Sequence, residues 1–247
     1  IKLLVANSQW RIVFVFNILL LTAVVTRGSA TLYYVKYVLL RPELVFAFIV
    51  SGMVASMLGA LLSERLLGRF DRVRSYQWTI LCFVAIGGSI FFLPPTAPWL
   101  IFALNLIFSF IQNLTTPLQW SMFSDVVDYE EQRTGHRLDG LVFSSALFAI
   151  KMGLALGGAV VGWVLGMVDY LPNTLQQTPL VLTTINGLFT LIPAALFLSM
   201  ALLLCFYQLN SRRVADIADL LAARRQTNAE TASPLPVTQE LTHDRNL

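Results

Sequence analysis

Residues Trp120 to Lys151 read WSMFSDVVDYEEQRTGHRLDGLVFSSALFAIK, a charged stretch between two apolar ones, with a single lysine set inside the second. A lysine at the centre of a membrane helix costs roughly 2.5–3.5 kcal/mol on insertion scales, so it persists where it faces a bundle interior or a watery cavity. Lys151 is therefore a candidate functional residue, and the apolar stretches around it are candidate membrane helices.

Composition agrees. Hydrophobic residues make up 56% of the 247 and charged residues 13%, and mean hydropathy is +0.69. Apolar runs of spanning length lie near 12–38, 44–63, 76–93, 99–123, 139–168 and 183–208, six in all. An even number puts both termini on one side. That side would hold Lys2, Arg11, Arg65, Arg69, Arg72, Arg74, Arg133, Arg137, Arg212, Arg213, Arg224, Arg225 and Arg245, against Lys36 and Arg41 opposite. The positive-inside rule makes it the cytoplasmic side. The net charge of +3 sits in short clusters between spans, so nucleic acid is not an expected partner, whereas membrane lipid is. No phosphate loop, GxSxG elbow or HExxH occurs, which argues against ATPase, hydrolase or metalloprotease chemistry. His136 and His243 lack ligand-like neighbours, so no metal site is expected. The first apolar run is too long for a signal peptide and Ile1 is no start methionine, so the chain reads as a fragment of a longer protein.

Two spans are too polar for lipid contact all round. In the first, Thr22, Thr26, Ser29, Tyr33 and Tyr37 recur at steps of three or four, with Arg27 and Gly28 between them, suggesting a cavity wall and a helix break. In the fourth, Asn105, Ser109, Gln112, Thr116 and Gln119 fall within about 80° of arc, with Asn113 and Trp120 at the edge, and Pro117 should kink the helix. Gly153, Gly157, Gly158, Gly162 and Gly166 form ridges for close helix packing, echoed by Gly52, Ser56 and Gly59. Arg27 and Lys151 lie within spans that offer no carboxylate at comparable depth. Their partners should then come from outside this chain or from an anionic substrate.

Asp125 and Asp128 share a helix face, followed by Tyr129, Glu130 and Glu131 and by Arg133 and Arg137. On charge pattern alone, an ion-pair latch involving the Glu64 to Arg74 loop and an ordinary solvated loop both fit. Past Asn210, SRRVADIADLLAARR places Val214, Ile217, Leu220 and Leu221 on one side, which suits a short helix on the inner membrane surface. The remainder, with two prolines, reads as disordered. The chain thus divides into a bundle, 1–210, and a cytoplasmic tail, 211–247.

SMFSDVVDYEEQRTGHRLDG followed by Lys151, together with RGSATLYYVKYVL and LLSERLLGRFDRVRSY, resembles the glycoside-pentoside-hexuronide:cation symporters, the melibiose-permease-like branch of the major facilitator superfamily. The resemblance implies an all-α membrane protein whose six spans correspond to helices 7 to 12 of a twelve-helix carrier, with the N-terminal six-helix half missing. It further implies that Lys151 belongs to the cation-and-sugar network, that Asp125, Asp128, Tyr129 and Arg137 form a cytoplasmic gate, and that Thr116 faces sugar. The expected substrate-binding residues are Arg27, Tyr33, Gln112, Asn113, Thr116 and Lys151. The expected function is symport of a sugar, glycoside or sugar acid with sodium or a proton, in a bacterial inner membrane, without cofactor or covalent catalysis. A lipid-like or organic-anion substrate on the same scaffold, or a membrane fragment without transport, are the alternatives. For Arg27 three partners stay open: an anionic substrate, an acid of the missing half, or neutral sugar hydroxyls.

Overall fold

The computed structural model describes residues 2–67, 71–172, 174 and 176–232. Six helical spans long and apolar enough to cross a membrane cover Ser8–Val38, Pro42–Leu67, Val73–Phe92, Pro98–Thr134, Asp139–Gly166 and Pro179–Leu204, in step with the six apolar runs. No strand occurs among the described residues.

The helices are α1 (Lys2–Ala6), α2 (Ser8–Tyr33), α3 (Val45–Leu67), α4 (Arg72–Phe92), α5 (Pro98–Leu114), α6 (Thr116–Thr134), α7 (Asp139–Gly166), α8 (Pro179–Phe189), α9 (Leu191–Leu204) and α10 (Ser211–Ala232). Their ends follow local chemistry. The Asn7 side chain caps α2 by accepting from the Gln9 and Trp10 amides at 2.9 and 3.1 Å, and Asp71 caps α4 through the Arg74 amide at 3.1 Å. Prolines open α5 and α8, where a missing N–H is harmless. Helix α6 stops at Gly135, whose φ of 72° suits glycine.

Two spans break in mid-membrane, both at proline. Pro117 lacks the amide that would bond the Asn113 carbonyl, and the fourth span divides at Thr115 into α5 and α6. Pro193 lacks the amide for the Phe189 carbonyl, and the sixth divides at Thr190 into α8 and α9. In lipid such freed groups must find partners within the protein. Next to the first break Ser63 Oγ donates to the Leu114 carbonyl at 2.7 Å, and the Tyr76 hydroxyl donates at 3.2 Å to that of Thr115, which also accepts the Gln119 amide. The break expected at Arg27–Gly28 does not occur. Helix α2 runs through both, and the irregular turn is a π-helix at Tyr34–Val38. One interior glycine costs only about 1 kcal/mol, too little to interrupt a helix packed on several sides.

Helix α2 lies centrally, chiefly against α7 and α9, while α3 rides on α5 and α4 on α9. Glycine sets the two closest seams. A Cβ on Gly153 would stand 2.6 Å from Leu21 Cβ, and one on Gly157 2.6 Å from Val25 Cβ. Thr22 and Thr26 reach across this seam to the Gly153 and Gly157 carbonyls, each at 3.4 Å. These two threonines therefore pack on α7 and do not line a cavity. Thr22 also donates to its own helix at Ile18, 2.7 Å away, so its hydroxyl is satisfied without water. Between α3 and α5, Gly59 admits the Phe110 carbonyl and Ser56 Oγ donates to the Ser109 carbonyl at 3.2 Å. Gly158, Gly162 and Gly166 have nothing within 4 Å and take no part in these seams.

Helix α10 departs from its expected place. Instead of setting an apolar side in lipid, it folds back on α6 and buries Ile217 and Leu221, because these side chains complete the core at that end of the bundle. The Ser211 amide donates to Asp71 Oδ2 at 3.2 Å, tying its start to the cap of α4. Residues 233–247, read as disordered, lie outside the described residues, as does Arg69.

Candidate functional site

A groove of about 510 Å³ opens between α2, α3 and α5, walled by Arg27, Gly28, Thr31, Gly52, Ser56, Asn105, Ser109 and Gln112. A second pocket of about 230 Å³ adjoins it, sharing Val24 and Gln112 and adding Tyr76, Thr115, Thr116, Gln119 and Trp120. All five polar residues of the fourth-span stripe thus face one or other pocket. Beside the smaller one, Gln119 Nε2 donates to Asn17 Oδ1 at 2.8 Å. Asn17 is fully buried, and its Nδ2 has no hydrogen bond. Sequence reasoning missed Asn17; an amide in mid-span was the available signal.

Arg27 is buried, as its position required, but its partners are neutral and belong to this chain. Nη1 donates to the Phe189 carbonyl at 2.9 Å and Nη2 to Asn105 Oδ1 at 3.1 Å. The first acceptor is the carbonyl that Pro193 leaves without an amide. The rings of Phe108 and Phe189 cover the guanidinium, their centroids 3.9 and 4.1 Å from Cζ. Its hydrogen-bond partners thus lie within this chain, while no described ion pair includes Arg27, and the expected partner for its charge is not among the described residues.

Lys151 is not buried. It lies on the face of α7 opposite the glycine seam, exposed together with Leu147, Leu154, Ala155 and Gly158, because none of the described residues covers that face. Tyr33 stands away from the groove, edge-on to Tyr170 with ring centroids 5.5 Å apart, and Tyr170 bonds the Tyr37 hydroxyl at 2.9 Å. Asn113 sits at the break, its Oδ1 accepting from Thr116 at 3.4 Å, so of the expected substrate contacts only Arg27, Gln112 and Thr116 line the pockets.

At the opposite end of α6 the charged residues form a compact cluster. Arg137 donates to Asp128 at 3.0 Å and to Glu131 at 2.7 Å, and pairs with Asp139 at 2.8 Å. The Glu131 hydrogen bond above all, then Asp139 and Asp128, hold the Arg137 guanidinium above its ordinary range. Glu131 also receives Arg225 of α10 at 3.0 Å, and Arg213 lies over the Tyr129 ring. The tail helix thus joins the cluster; of the Glu64 to Arg74 loop, one of the two readings of the sequence, residues 68–70 lie outside the described residues. Asp125 is buried one turn earlier. Glu130, fully buried, takes a bidentate Arg133 and the Asn7 amide at 2.7 Å, pinning the start of α2 to the end of α6.

A six-span helical bundle with a polar groove beside its broken spans defines an integral membrane protein of the carrier type. The chain belongs to the MFS/sugar transport protein family, whose model matches residues 1–211. It is 50% identical over 230 residues to the candidate glycoside/cation symporter YagG of Escherichia coli (strain K12), covering 93% of this chain and 50% of that one. It is 35% identical over 217 residues to the inner membrane symporter YicJ of the same organism, covering 87% and 47%. To that organism's glucuronide carrier protein homolog it is 28% identical over 213 residues, covering 84% and 46%. The chain spans about half the length of these relatives. The family is one of transporters, not enzymes, and the resemblance read around Asp125 to Lys151 agrees with it.

Proposed function

We propose that this chain supplies half of a secondary carrier that moves a sugar, glycoside or sugar acid across the inner membrane together with sodium or a proton. The observation that carries the proposal is the stripe Asn105, Ser109, Gln112, Thr116 and Gln119 facing two adjoining pockets. Amides and hydroxyls both donate and accept, as sugar hydroxyls do, and the larger pocket falls within the usual volume of a small-molecule site. The names of YagG and of the glucuronide carrier homolog, a glycoside/cation symporter and a glucuronide carrier, support this substrate class.

In this reading a second six-helix half closes the groove, and the halves rock about it to expose it to either side in turn. Lys151, exposed on α7, faces that half and takes part in ion coupling. The basic end of the bundle lies in the cytoplasm, where the Arg137 cluster opens and closes as a gate. The test is uptake into vesicles by a full-length carrier containing this chain, with and without a sodium or proton gradient, across neutral and acidic sugars. Gradient-driven uptake of one of them is expected from the full carrier, and no saturable uptake from the 247 residues alone. Robust uptake by the isolated chain, or none by the full carrier, overturns the proposal.

A further inference from the structure

Arg27 performs a structural service that needs no charge. It fills the Phe189 carbonyl left open by Pro193. At the other proline break neutral hydroxyls serve the neighbouring carbonyls: Ser63 donates to that of Leu114, and Tyr76 to that of Thr115, which also accepts the Gln119 amide. A serine or amide of suitable reach would do likewise beside Pro193. Burying a guanidinium there adds a desolvation penalty of several kcal/mol that the structural task does not call for.

The charge is also left unneutralised. The two hydrogen-bond acceptors are neutral, the Phe108 and Phe189 rings offer quadrupoles rather than net charge, and no described carboxylate pairs with it. Two of the five guanidinium N–H groups are engaged, Nε making no hydrogen bond among the described residues. The side chain nevertheless lines the larger groove, beside Gly28, where an added Cβ would meet nothing within 4 Å. Held by two aromatic rings and by hydrogen bonds from both Nη atoms, the guanidinium is fixed in place, as recognition of a planar oxyanion requires.

We infer that Arg27 selects the substrate by charge, and that the groove takes a sugar or glycoside bearing a carboxylate or sulfonate, which docks on the unoccupied edge of this guanidinium. The inference rests on the reading of the groove as a sugar site. It is tested on the full-length carrier by equilibrium binding of three probes: a methyl glucuronide, its uncharged uronamide, and a 6-sulfonated methyl glucoside. The wild type binds the acid or the sulfonate about 10- to 100-fold more tightly than the uronamide, the range of one charge-assisted contact. The tighter of the two names the oxyanion. Arg27→Gln brings the ratio close to one, whereas Arg27→Lys retains part of it. The wild-type comparison stands even if Arg27→Gln does not fold. Equal binding of all three by the wild type, as when an acid of the other half neutralises Arg27, overturns the charge assignment and leaves the sugar site standing. Binding of none overturns both.

Discussion

The link between Arg27 and Pro193 can be measured directly. Pro193→Ala returns an amide that can reach the Phe189 carbonyl, and Arg27→Met removes the one side-chain donor to that carbonyl among the described residues while keeping an unbranched apolar stem. Arg27→Met alone balances opposed terms. It leaves two buried acceptors unmet, at about 1–3 kcal/mol each, but relieves a buried cation of a penalty of several kcal/mol. The double-mutant cycle removes everything except the shared carbonyl. Arg27→Met should therefore be about 1–3 kcal/mol less costly in the Pro193→Ala background, the penalty of one unsatisfied buried acceptor. Unfolding midpoints in detergent, followed by tryptophan fluorescence, would show this as a shift of about 2–4 °C per kcal/mol for a domain of this size. Additivity within about 0.5 kcal/mol would refute the claim that the proline creates the acceptor that Arg27 fills.

Gly157→Ala, whose Cβ would lie 2.6 Å from Val25 Cβ and 2.9 Å from the Thr22 carbonyl, should destabilise the bundle by about 1–3 kcal/mol. Gly158→Ala, with nothing within 4 Å, should not, and equal midpoints for the two would dismiss the glycine seam. Burial works against ionisation of Asp71, but hydrogen bonds from the Arg74 amide and from Ser211 outweigh it and hold its carboxyl below the ordinary range. The stability it lends to α4 and to the docking of α10 is thus complete above the ordinary aspartate range and lost as pH falls through the depressed value. Protease cleavage within α10 should accelerate on acidification in the wild type, and an Asp71→Asn carrier with the same acid response would count against this link. Within this chain alone, Lys151→Ala should change unfolding stability by no more than about 0.5 kcal/mol, because the side chain is exposed without a described partner. Accumulation of substrate against a gradient should nonetheless be lost, so full accumulation by this variant removes Lys151 from the coupling network.

What could be read in the sequence was what depends on neighbours along the chain. The six spans follow from run length, the fourth-span stripe from its spacing, and the break at Thr115 from Pro117. What escaped depends on distant pairings. Arg27 finds its acceptors 162 and 78 positions away, and Glu130, read as one more acid of a charged loop, is buried because Asn7 reaches it from 123 positions away. The first-span threonines have a polar spacing that fits a cavity wall and a glycine seam equally, and only the glycines opposite decide between them. Helix α10 has an apolar side that membrane lipid or α6 could cover, and Arg225 on Glu131 is a contact between elements 94 residues apart.

The two proline breaks also decide where the bundle can give way. Helices α2 and α7 meet through glycines that leave no room for a side chain, a seam that resists shear because any slide drives Val25 or Leu21 into backbone. By contrast α5 joins α6, and α8 joins α9, through single residues, Thr115 and Thr190, where the helical ladder is already interrupted. Tilting one segment on the next there sacrifices little backbone hydrogen bonding, since Ser63 and Arg27 hold the Leu114 and Phe189 carbonyls and can follow them. The Thr115 joint borders the smaller pocket through Thr115 and Tyr76, and the Thr190 joint is tied to the larger one through Arg27. A ligand on the unoccupied edge of Arg27 rests on the same guanidinium that steadies the Phe189 joint. Occupancy of the groove and the stiffness of α8 on α9 are in this way linked through one side chain.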